Sequence, residues 1–218
     1  MSVDADFFSG VATATLADAA TALGLNLIME GPRPAVPETY PRFAGPAATM
    51  VFAPVRTPGV KAPYSLYDVV DVIPKGAVMV VDAAGSPLAA WGGGSSGVCS
   101  RRGAVGAVID GATRDVEDIR DLKFPVFCKS VWSLAFPRRL EVVAMDTPVT
   151  CCGVRVEPGD IIVADIDGVA AVPLTRFAEV KRQVERIRAI EKEVKERAAK
   201  GEAMAGLFPL LAKKFTTD

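Results

Sequence analysis

The chain has 218 residues, half of them hydrophobic, and its 25 basic and 26 acidic residues give a formal net charge of -1. This composition is typical of a folded globular protein and excludes a disordered one. The balanced charge gives no reason to expect nucleic acid or a membrane surface as a partner, and no apolar run approaches the roughly 20 residues of a membrane span. Residues 1–6 lack the basic start of a signal peptide, so we expect a cytoplasmic protein.

The absence of histidine limits the chemistry that the chain can perform. It excludes Ser–His and Cys–His nucleophile pairs and the common zinc sites. A metal would therefore bind carboxylate, carbonyl and water oxygens, which favours magnesium, manganese or calcium. The four cysteines (Cys99, Cys128, Cys151 and Cys152) have no metal-ligand spacing, and we expect free thiols. On an extended strand, the adjacent Cys151 and Cys152 would point to opposite faces.

In the N-terminal third of the chain, sequence patterns predict two helices, with an irregular segment and a strand between them. A capping-box pattern at Thr15–Asp18 precedes an alanine-rich helix that should end at Gly24. Five prolines predict an irregular connection over 31–46. A strand should follow over 47–55, and Ser65 is a possible N-cap for a short amphipathic helix.

The remaining elements outside the central stretch are a buried strand, a hairpin and two helices. An apolar strand is predicted over 77–82, and Asp167-Gly168 between two apolar runs is a strong hairpin signal. Helical periodicity runs from 174 to 200, and a shorter helix from 204 to 215 closes the chain. Because no composition break marks a boundary, we predict one α/β domain with short strands and covering helices, spanning residues 1–218.

The centre of the sequence carries the strongest candidate for chemistry. The apolar run Val105–Ile109 predicts a strand buried on both faces, and Arg114 and Asp115 follow shortly after it. Groups just beyond such a strand's carboxyl end lie where open α/β sheets bind their ligands. An arginine offers a planar anion clamp and an aspartate a hard oxygen ligand. The alternative is a helix start, with Asp115 as the cap and Arg114 in a surface ion pair.

A glycine-rich loop, Gly92–Gly97, is the second candidate. It matches G-x-G-x-x-G, but Asp110 follows at a spacing slightly short for a dinucleotide site, and Gly85–Pro87 separates the loop from the strand before it. A short helix predicted over 95–102 would place the glycines at its amino end, where free N–H groups favour an anion. The alternative is a flexible turn that binds nothing.

Taken together, these residues resemble the RraA-like family, which includes class II pyruvate aldolases and ribonuclease E activity regulators. The aldolases act on 4-hydroxy-4-methyl-2-oxoglutarate and 4-carboxy-4-hydroxy-2-oxoadipate. The resemblance covers nearly the whole chain. It rests on an ordered set of motifs, namely Ala14–Ala19, Gly45-Pro-Ala47, Trp91-Gly92, Gly103–Asp115, Phe124–Phe127 and Val156–Val169.

The resemblance implies an α/β sandwich assembled as a homotrimer or homohexamer, with active sites between subunits. It further implies a lyase in which Arg114 binds the pyruvyl unit of a small 2-keto acid and stabilises its enolate. Asp115 would hold Mg²⁺ or Mn²⁺, and the backbone N–H groups of Gly92, Gly93, Gly94 and Ser95 would receive the substrate carboxylate. A glutamate from a neighbouring subunit completes the metal site in this family, and Glu191 is the nearest positional match.

One position departs from the aldolase pattern. The aldolases carry an acidic residue after the Trp-Gly dipeptide, whereas this chain has Gly93. Three interpretations follow: another carboxylate replaces the missing acid, the chain catalyses a different reaction, or it binds without catalysis as a ribonuclease regulator does. We expect a metal-dependent lyase acting by retro-aldol cleavage or oxaloacetate decarboxylation, with the non-catalytic binding protein as the alternative.

Overall fold

A mixed β-sheet with helices packed against it forms the centre of the molecule. The structure is a computed structural model that describes residues 6–39, 41–57 and 59–217. The strands are β1 (Arg33–Pro34), β2 (Phe43–Pro54), β3 (Val78–Trp91), β4 (Gly106–Thr113), β5 (Val126–Val131), β6 (Leu140–Met145), β7 (Val149–Cys151), β8 (Val154–Val156), β9 (Ile161–Asp165) and β10 (Gly168–Val172). The helices are α1 (Asp6–Ser9), α2 (Thr13–Leu23), α3 (Leu66–Val70), α4 (Gly93–Arg102), α5 (Val116–Leu122), α6 (Phe177–Ala199) and α7 (Met204–Ala212).

The main sheet has the order β1-β5-β4-β3-β2-β9-β10, with β6 also paired to β2. The four central strands, β2 to β5, run parallel to one another. The outer strands are antiparallel to their neighbours, and β7 and β8 form a separate hairpin. This mixed α/β architecture confirms the predicted fold class. Because the central strands are parallel, their carboxyl ends meet at one edge of the sheet.

Both faces of the central strands are buried, as the apolar run in β4 predicts. Along β3, Met79 and Val81 pack into one apolar cluster with α3, α4 and α5, whereas Val78 and Val80 pack into a second one with the β7–β8 hairpin. All eight residues of β4 are buried. A third cluster joins α2 and α6 to β9 and β10. The core therefore packs against β3 and β4 from both sides.

Several local predictions are confirmed. Helix α2 ends at Gly24, which adopts the left-handed conformation at φ 63°. Ser65 caps α3 in a capping box with Asp68. The predicted hairpin joins β9 and β10, with its two-residue turn at 166–167 and Gly168 as the first residue of β10. No helix in the described ranges has the length and apolar character to cross a membrane.

Other local predictions are wrong, each for a tertiary reason. Helix α2 begins at Thr13, so Thr15 lies inside it and caps nothing; instead the Thr13 hydroxyl and N–H donate to the Asp165 carboxylate. Strand β2 starts at Phe43, inside the segment predicted to be irregular, because it pairs there with β9. Strand β3 continues to Trp91, since the break expected at Gly85–Pro87 is absorbed by register shifts against β4.

Candidate active site

The glycine loop and the Arg114–Asp115 pair lie at the same edge of the sheet. Trp91 at the end of β3 is in register with Thr113 at the end of β4. The backbone N–H of Arg114 donates to the Trp91 carbonyl at 3.1 Å. Because β3 and β4 are parallel neighbours, the segments that leave them start side by side. The structure therefore brings together the two groups singled out in the sequence.

The glycines form the first turn of α4. Gly92 is the N-cap, and the helix begins at Gly93. The N–H groups of the first turn, including those of Gly94 and Ser95, have no acceptor within the helix and favour an anion. Trp91 fixes this end, since its indole N–H donates to Ser96 Oγ at 2.9 Å and that hydroxyl donates to the Gly92 carbonyl at 3.0 Å.

Asp115 connects the two segments. It occupies the N-cap position of α5 in the left-handed conformation, at φ 57°, but its side chain does not cap that helix. Its Oδ2 instead accepts the N–H of Gly93 at 3.2 Å and lies 3.5 Å from Arg114 Nε. Asp115 is therefore the N-cap residue of α5, as the alternative interpretation held, but its carboxylate faces the amino end of α4 and does not bond to α5.

Gly92 is required by this close approach. A Cβ at this position would lie 2.6 Å from Asp115 Oδ2 and 3.3 Å from Arg114 Cγ. The Gly92 backbone is extended, at φ -175°, so any residue could adopt its conformation. The demand for glycine is steric, because a side chain would displace the Asp115 carboxylate.

Arg114 is half-exposed and only weakly paired. Its side chain is 45 % exposed, and within the ranges that the structure describes its one polar contact is the Nε–Asp115 ion pair. Both terminal NH₂ groups are therefore available to an oxygen anion. A weakly paired arginine beside free helix N–H groups is suited to bind a 2-oxo acid, which carries a carboxylate next to a carbonyl.

The space beside Gly93 is filled by Asp118. A Cβ on Gly93 would lie 2.7 Å from Asp118 Oδ2 and 2.8 Å from its Cβ. Asp118 is in the first turn of α5, is exposed, and has no hydrogen bond or ion pair in the described chain. A carboxylate from a neighbouring helix thus occupies the position where the sequence lacks an acid. The only signal in the sequence that points to Asp118 is its i+3 spacing from Asp115.

A cleft of about 720 Å³ opens in front of these groups. Gly92, Gly94, Ser95, Arg114 and Asp115 line it, and Gly93 does not, because it is buried behind Asp118. A second, shallower cleft continues from Arg114 and Asp115 toward Asp118. Apart from Gly93, the residues predicted to bind substrate therefore line a cleft whose volume is within the range of small-molecule sites.

The donors at this edge fit Mg²⁺ or Mn²⁺. Within residues 6–39, 41–57 and 59–217, no group of three or more acidic or cysteine side chains converges on a possible metal position. Mg²⁺ does not need such a group, since one or two carboxylates with retained waters hold it in many sites. Asp115, a half-exposed carboxylate that lines the cleft, is the residue that would hold the ion.

Glu191, the other predicted metal ligand, lies elsewhere in the chain. It is on α6, where its carboxylate lies 2.7 Å from Lys214 Nζ. It lines a separate surface cleft with Gly10 and Arg188. One chain does not bring Glu191 into the cleft of Asp115, so its predicted role depends on a second subunit and stays a prediction.

Asp110, inside β4, has a structural role. One carboxylate oxygen accepts the buried N–H of Cys152 at 2.8 Å. The other lies 2.6 Å from Lys129 Nζ, in an ion pair whose angle is poor for a hydrogen bond. The contact with Asp110 raises the pKa of Lys129. Both oxygens are therefore engaged away from the cleft.

The four cysteines are free and buried, as expected. Burial raises the pKa of Cys99 to about 12 and that of Cys128 to about 11, so neither thiol is a nucleophile at neutral pH. The expected opposite orientation of Cys151 and Cys152 is wrong. Cys151 ends β7 and Cys152 turns at φ 51°, which places their Sγ atoms 4.0 Å apart.

The fold and cleft define a mixed α/β protein with a candidate anion-binding site at the carboxyl edge of two parallel strands. A family model described as RraA-like, Aldolase/RraA, matches residues 13–171. The chain belongs to the RraA-like family.

Proteins similar to this chain include one named as an aldolase and one named as a member of a ribonuclease inhibitor family. A protein of Halalkalibacterium halodurans named as a candidate 4-hydroxy-4-methyl-2-oxoglutarate aldolase is 34 % identical over 131 residues, 60 % of this chain and 61 % of the relative. Protein DlpA of Legionella pneumophila is 33 % identical over 164 residues, 75 % of this chain and 26 % of that protein. The chain therefore spans less than two thirds of these relatives. The solved structure of Streptomyces coelicolor RraAS2, described as an unusual member of the RNase ES inhibitor RraA family, has a TM-score of 0.75 and 29 % identity, covering 91 % of this chain and 96 % of that one.

Proposed function

We propose that the chain is a divalent-metal-dependent lyase that releases pyruvate from a 2-oxo acid. The reaction is retro-aldol cleavage of a 4-hydroxy-2-oxo acid, with oxaloacetate decarboxylation as a related activity. The observation that carries this proposal is the convergence of Arg114, Asp115 and the amino end of α4 on one cleft. The aldolase names among the relatives support the same class of reaction.

Each part of the edge has a distinct task in binding. The first-turn N–H groups of Gly94 and Ser95 would bind the substrate carboxylate, which the helix dipole also favours. The free NH₂ groups of Arg114 would face the 2-oxo oxygen. A divalent cation held by Asp115 would polarise the same oxygen when bound.

Breaking the C3–C4 bond requires the C4 hydroxyl to lose a proton while the bonding electrons pass to the C2 oxygen. Arg114 stabilises the negative charge that develops there, an interaction stronger in the transition state than in the ground state. The resulting pyruvate enolate must then gain a proton at C3. We propose that the Asp118 carboxylate accepts the first proton and returns it, which balances the cycle without histidine.

We further propose that the working site forms between subunits of a homotrimer or homohexamer. Asp115 supplies a single carboxylate, and Glu191 lies outside the cleft of its own chain. A glutamate contributed by a second copy would complete the oxygen ligands. This arrangement predicts that the cation binds more weakly when the subunits are dissociated by dilution.

Pyruvate release provides the test. Purified protein should release pyruvate from 4-hydroxy-2-oxoglutarate in the presence of Mg²⁺, measured by coupled reduction to lactate, and EDTA should abolish the activity. Arg114→Ala should reduce kcat by about 10²–10³-fold, the usual cost of removing one oxyanion stabiliser. Arg120→Ala, which removes an exposed arginine paired with Glu38, is the matched control and should retain activity. Equal activity in all three proteins would contradict the proposal.

A second candidate is a non-catalytic regulator of a ribonuclease, by analogy with the RNase ES inhibitor family of Streptomyces coelicolor RraAS2. Gly93 favours it, because the aldolase acid is missing there. Asp118 weakens it, because a carboxylate occupies that space. A regulator should show no turnover and should co-elute with a purified RNase E-type enzyme in size-exclusion chromatography. Turnover without co-elution would exclude it.

A further inference from the structure

The cleft is much larger than the pyruvyl unit that Arg114 and α4 would bind. A pyruvyl unit has six heavy atoms; if each is given a water molecule's share of liquid volume, roughly 30 Å³, the unit fills at most about 180 Å³. The cleft measures about 720 Å³. Most of its volume is therefore left for the part of the substrate beyond C3. The chemistry of that remainder decides which 2-oxo acids the chain selects.

The far part of the cleft is walled by aromatic and aliphatic side chains. Phe136 forms one wall, and its ring packs edge-on against Phe52 with centroids 4.9 Å apart. Its backbone N–H donates to the carbonyl of Ala89 in β3 at 3.2 Å. Leu140 and Val142 continue this wall along β6. The wall is thus part of the packed sheet, which gives it a fixed shape.

Two tyrosines also line the cleft. Tyr64 is bridged to Val142 by the backbone and is 37 % exposed, and Tyr67 is on α3 and is 53 % exposed. A Cβ on Gly94 would lie 2.9 Å from the Tyr67 hydroxyl, so this ring lies over the first turn of α4. Exposed aromatic rings that face a cleft gain free energy when an apolar ligand covers them.

The charged residues that line the cleft do not favour a ligand with a second anionic group. Apart from Arg114 and Asp115, the charged residues that line the cleft in the described part of the chain are Arg138 and Glu141, which have opposite signs. Arg138 is exposed and adopts a left-handed backbone at φ 66°. Its guanidinium can stay in water, so its presence alone does not select a distal carboxylate.

We propose that this part of the cleft binds a ring-sized apolar substituent at C4, so that the preferred substrates are 4-hydroxy-2-oxo acids with an aryl group or an apolar group of similar size. The proposal rests on the proposed function for the position of the 2-oxo end. It differs from that function in naming the leaving group, an apolar aldehyde or ketone. A dicarboxylate that pairs with Arg138 is the competing ligand.

Binding of uncleavable 2-oxo acids separates this proposal from catalysis. Calorimetric titration of the Mg²⁺-loaded protein should use pyruvate, 2-oxoglutarate and 2-oxo-4-phenylbutanoate, none of which has a C4 hydroxyl to cleave. The phenyl compound should bind about tenfold to a hundredfold more tightly than pyruvate, which corresponds to the burial of one aromatic ring. 2-Oxoglutarate should bind no more tightly than pyruvate.

Two variants locate the ring. Tyr64→Ala should weaken the binding of the phenyl compound at least about threefold, since one aromatic contact is lost. The affinity for pyruvate should be unchanged. Phe208→Ala is the matched control, because Phe208 is 68 % exposed and lies outside the cleft. Arg138→Ala should leave the affinity for the phenyl compound unchanged.

The outcomes distinguish the two claims. If pyruvate binds but the phenyl compound binds no more tightly, the proposal for the leaving group is wrong and the proposed function stands. If 2-oxoglutarate binds more tightly than pyruvate and Arg138→Ala abolishes this difference, the preferred ligand is a dicarboxylate and the proposal for an apolar leaving group is wrong. If the phenyl compound binds as expected but its 4-hydroxy analogue is not cleaved, the ligand class stands and the lyase function fails.

Discussion

Two ion pairs whose aspartates lie only a few residues apart along the chain have opposite characters. Asp110 within β4 has a side chain that is 8 % exposed, and both of its oxygens are engaged, by Cys152 N–H and by Lys129. Asp115, just beyond β4, is 35 % exposed, and its partner Arg114 keeps two NH₂ groups free in the described chain. Asp118 beside them has no partner among the described residues.

The difference shows how a charged pair that supports the fold differs from one that can bind a ligand. A buried carboxylate must have its hydrogen-bonding capacity satisfied, because a bare one would cost several kcal/mol. At the edge of the sheet water can solvate the groups, so unfulfilled donors and acceptors are tolerated and remain available to a substrate. Substitutions in the two regions should therefore separate stability from activity.

The largest effect is expected for Asp115→Asn. Asparagine tolerates the left-handed backbone of this position, so the fold should remain while the charge that would hold the cation is lost. We expect kcat for pyruvate release to fall by about 10²–10³-fold. The melting temperature should stay close to that of the parent protein in calorimetry. If Asp115→Asn instead unfolds the protein, Asp115 supports the fold as Asp110 does, and the contrast between the two residues is wrong.

Asp118→Asn should reduce kcat by about 10²-fold, the range for loss of a general acid or base. Asp121→Asn, one turn further along α5, is the control and should leave kcat unchanged. Full activity in Asp118→Asn would show that Asp118 only packs against Gly93.

Gly92→Ala should lower kcat by about tenfold or more, because its Cβ would displace Asp115 Oδ2 from the edge of α4. Gly168→Ala is the matched control, since a Cβ on Gly168 meets nothing within 4 Å. Steady-state kinetics of the two proteins at saturating Mg²⁺ makes the comparison. Full activity in Gly92→Ala would show that the close approach of Asp115 to α4 is unimportant.

Asp110→Ala should affect stability and leave kcat unchanged. It leaves the buried N–H of Cys152 without an acceptor, at a cost of about 2 kcal/mol measured by denaturant unfolding. The loss of the ion pair with Lys129 lowers the free energy of unfolding by less, because the Lys129 side chain is 37 % exposed. Since the folded-state pKa of Lys129 is raised, the ion-pair contribution is fully present below about pH 10 and is lost as pH rises through that higher pKa. A stability difference that changes between pH 6 and pH 8 would contradict this assignment.

Much of the site could be predicted from the sequence because its residues follow recognisable strand ends. Arg114 and Asp115 come just after an apolar run, and the glycines precede a short helix, so strand and helix patterns were enough to place them at one edge. Asp118 could not be identified in this way. Its role depends on the first turn of α5 packing against Gly93 of α4, a contact between elements that local spacing does not reveal.

The fold shows the same limit. Glycine and proline at Gly85–Pro87 predicted a break that the structure bridges, since Ala84 and Gly85 adopt positive φ and β3 resumes its pairing with β4. The start of β2 at Phe43 depends on pairing with β9, more than 100 residues away. Both features arise from long-range pairing, whereas the boundaries set by local capping, such as Gly24 and Ser65, were predicted correctly.

A crystal structure of the protein with Mg²⁺ and pyruvate tests the proposed site most directly. We predict pyruvate with its carboxylate on the N–H groups of Gly94 and Ser95, its 2-oxo oxygen facing Arg114, and the cation bound to Asp115. Pyruvate bound elsewhere, with the Asp115 carboxylate still on Gly93 N–H and no cation beside it, would contradict this assignment of the site.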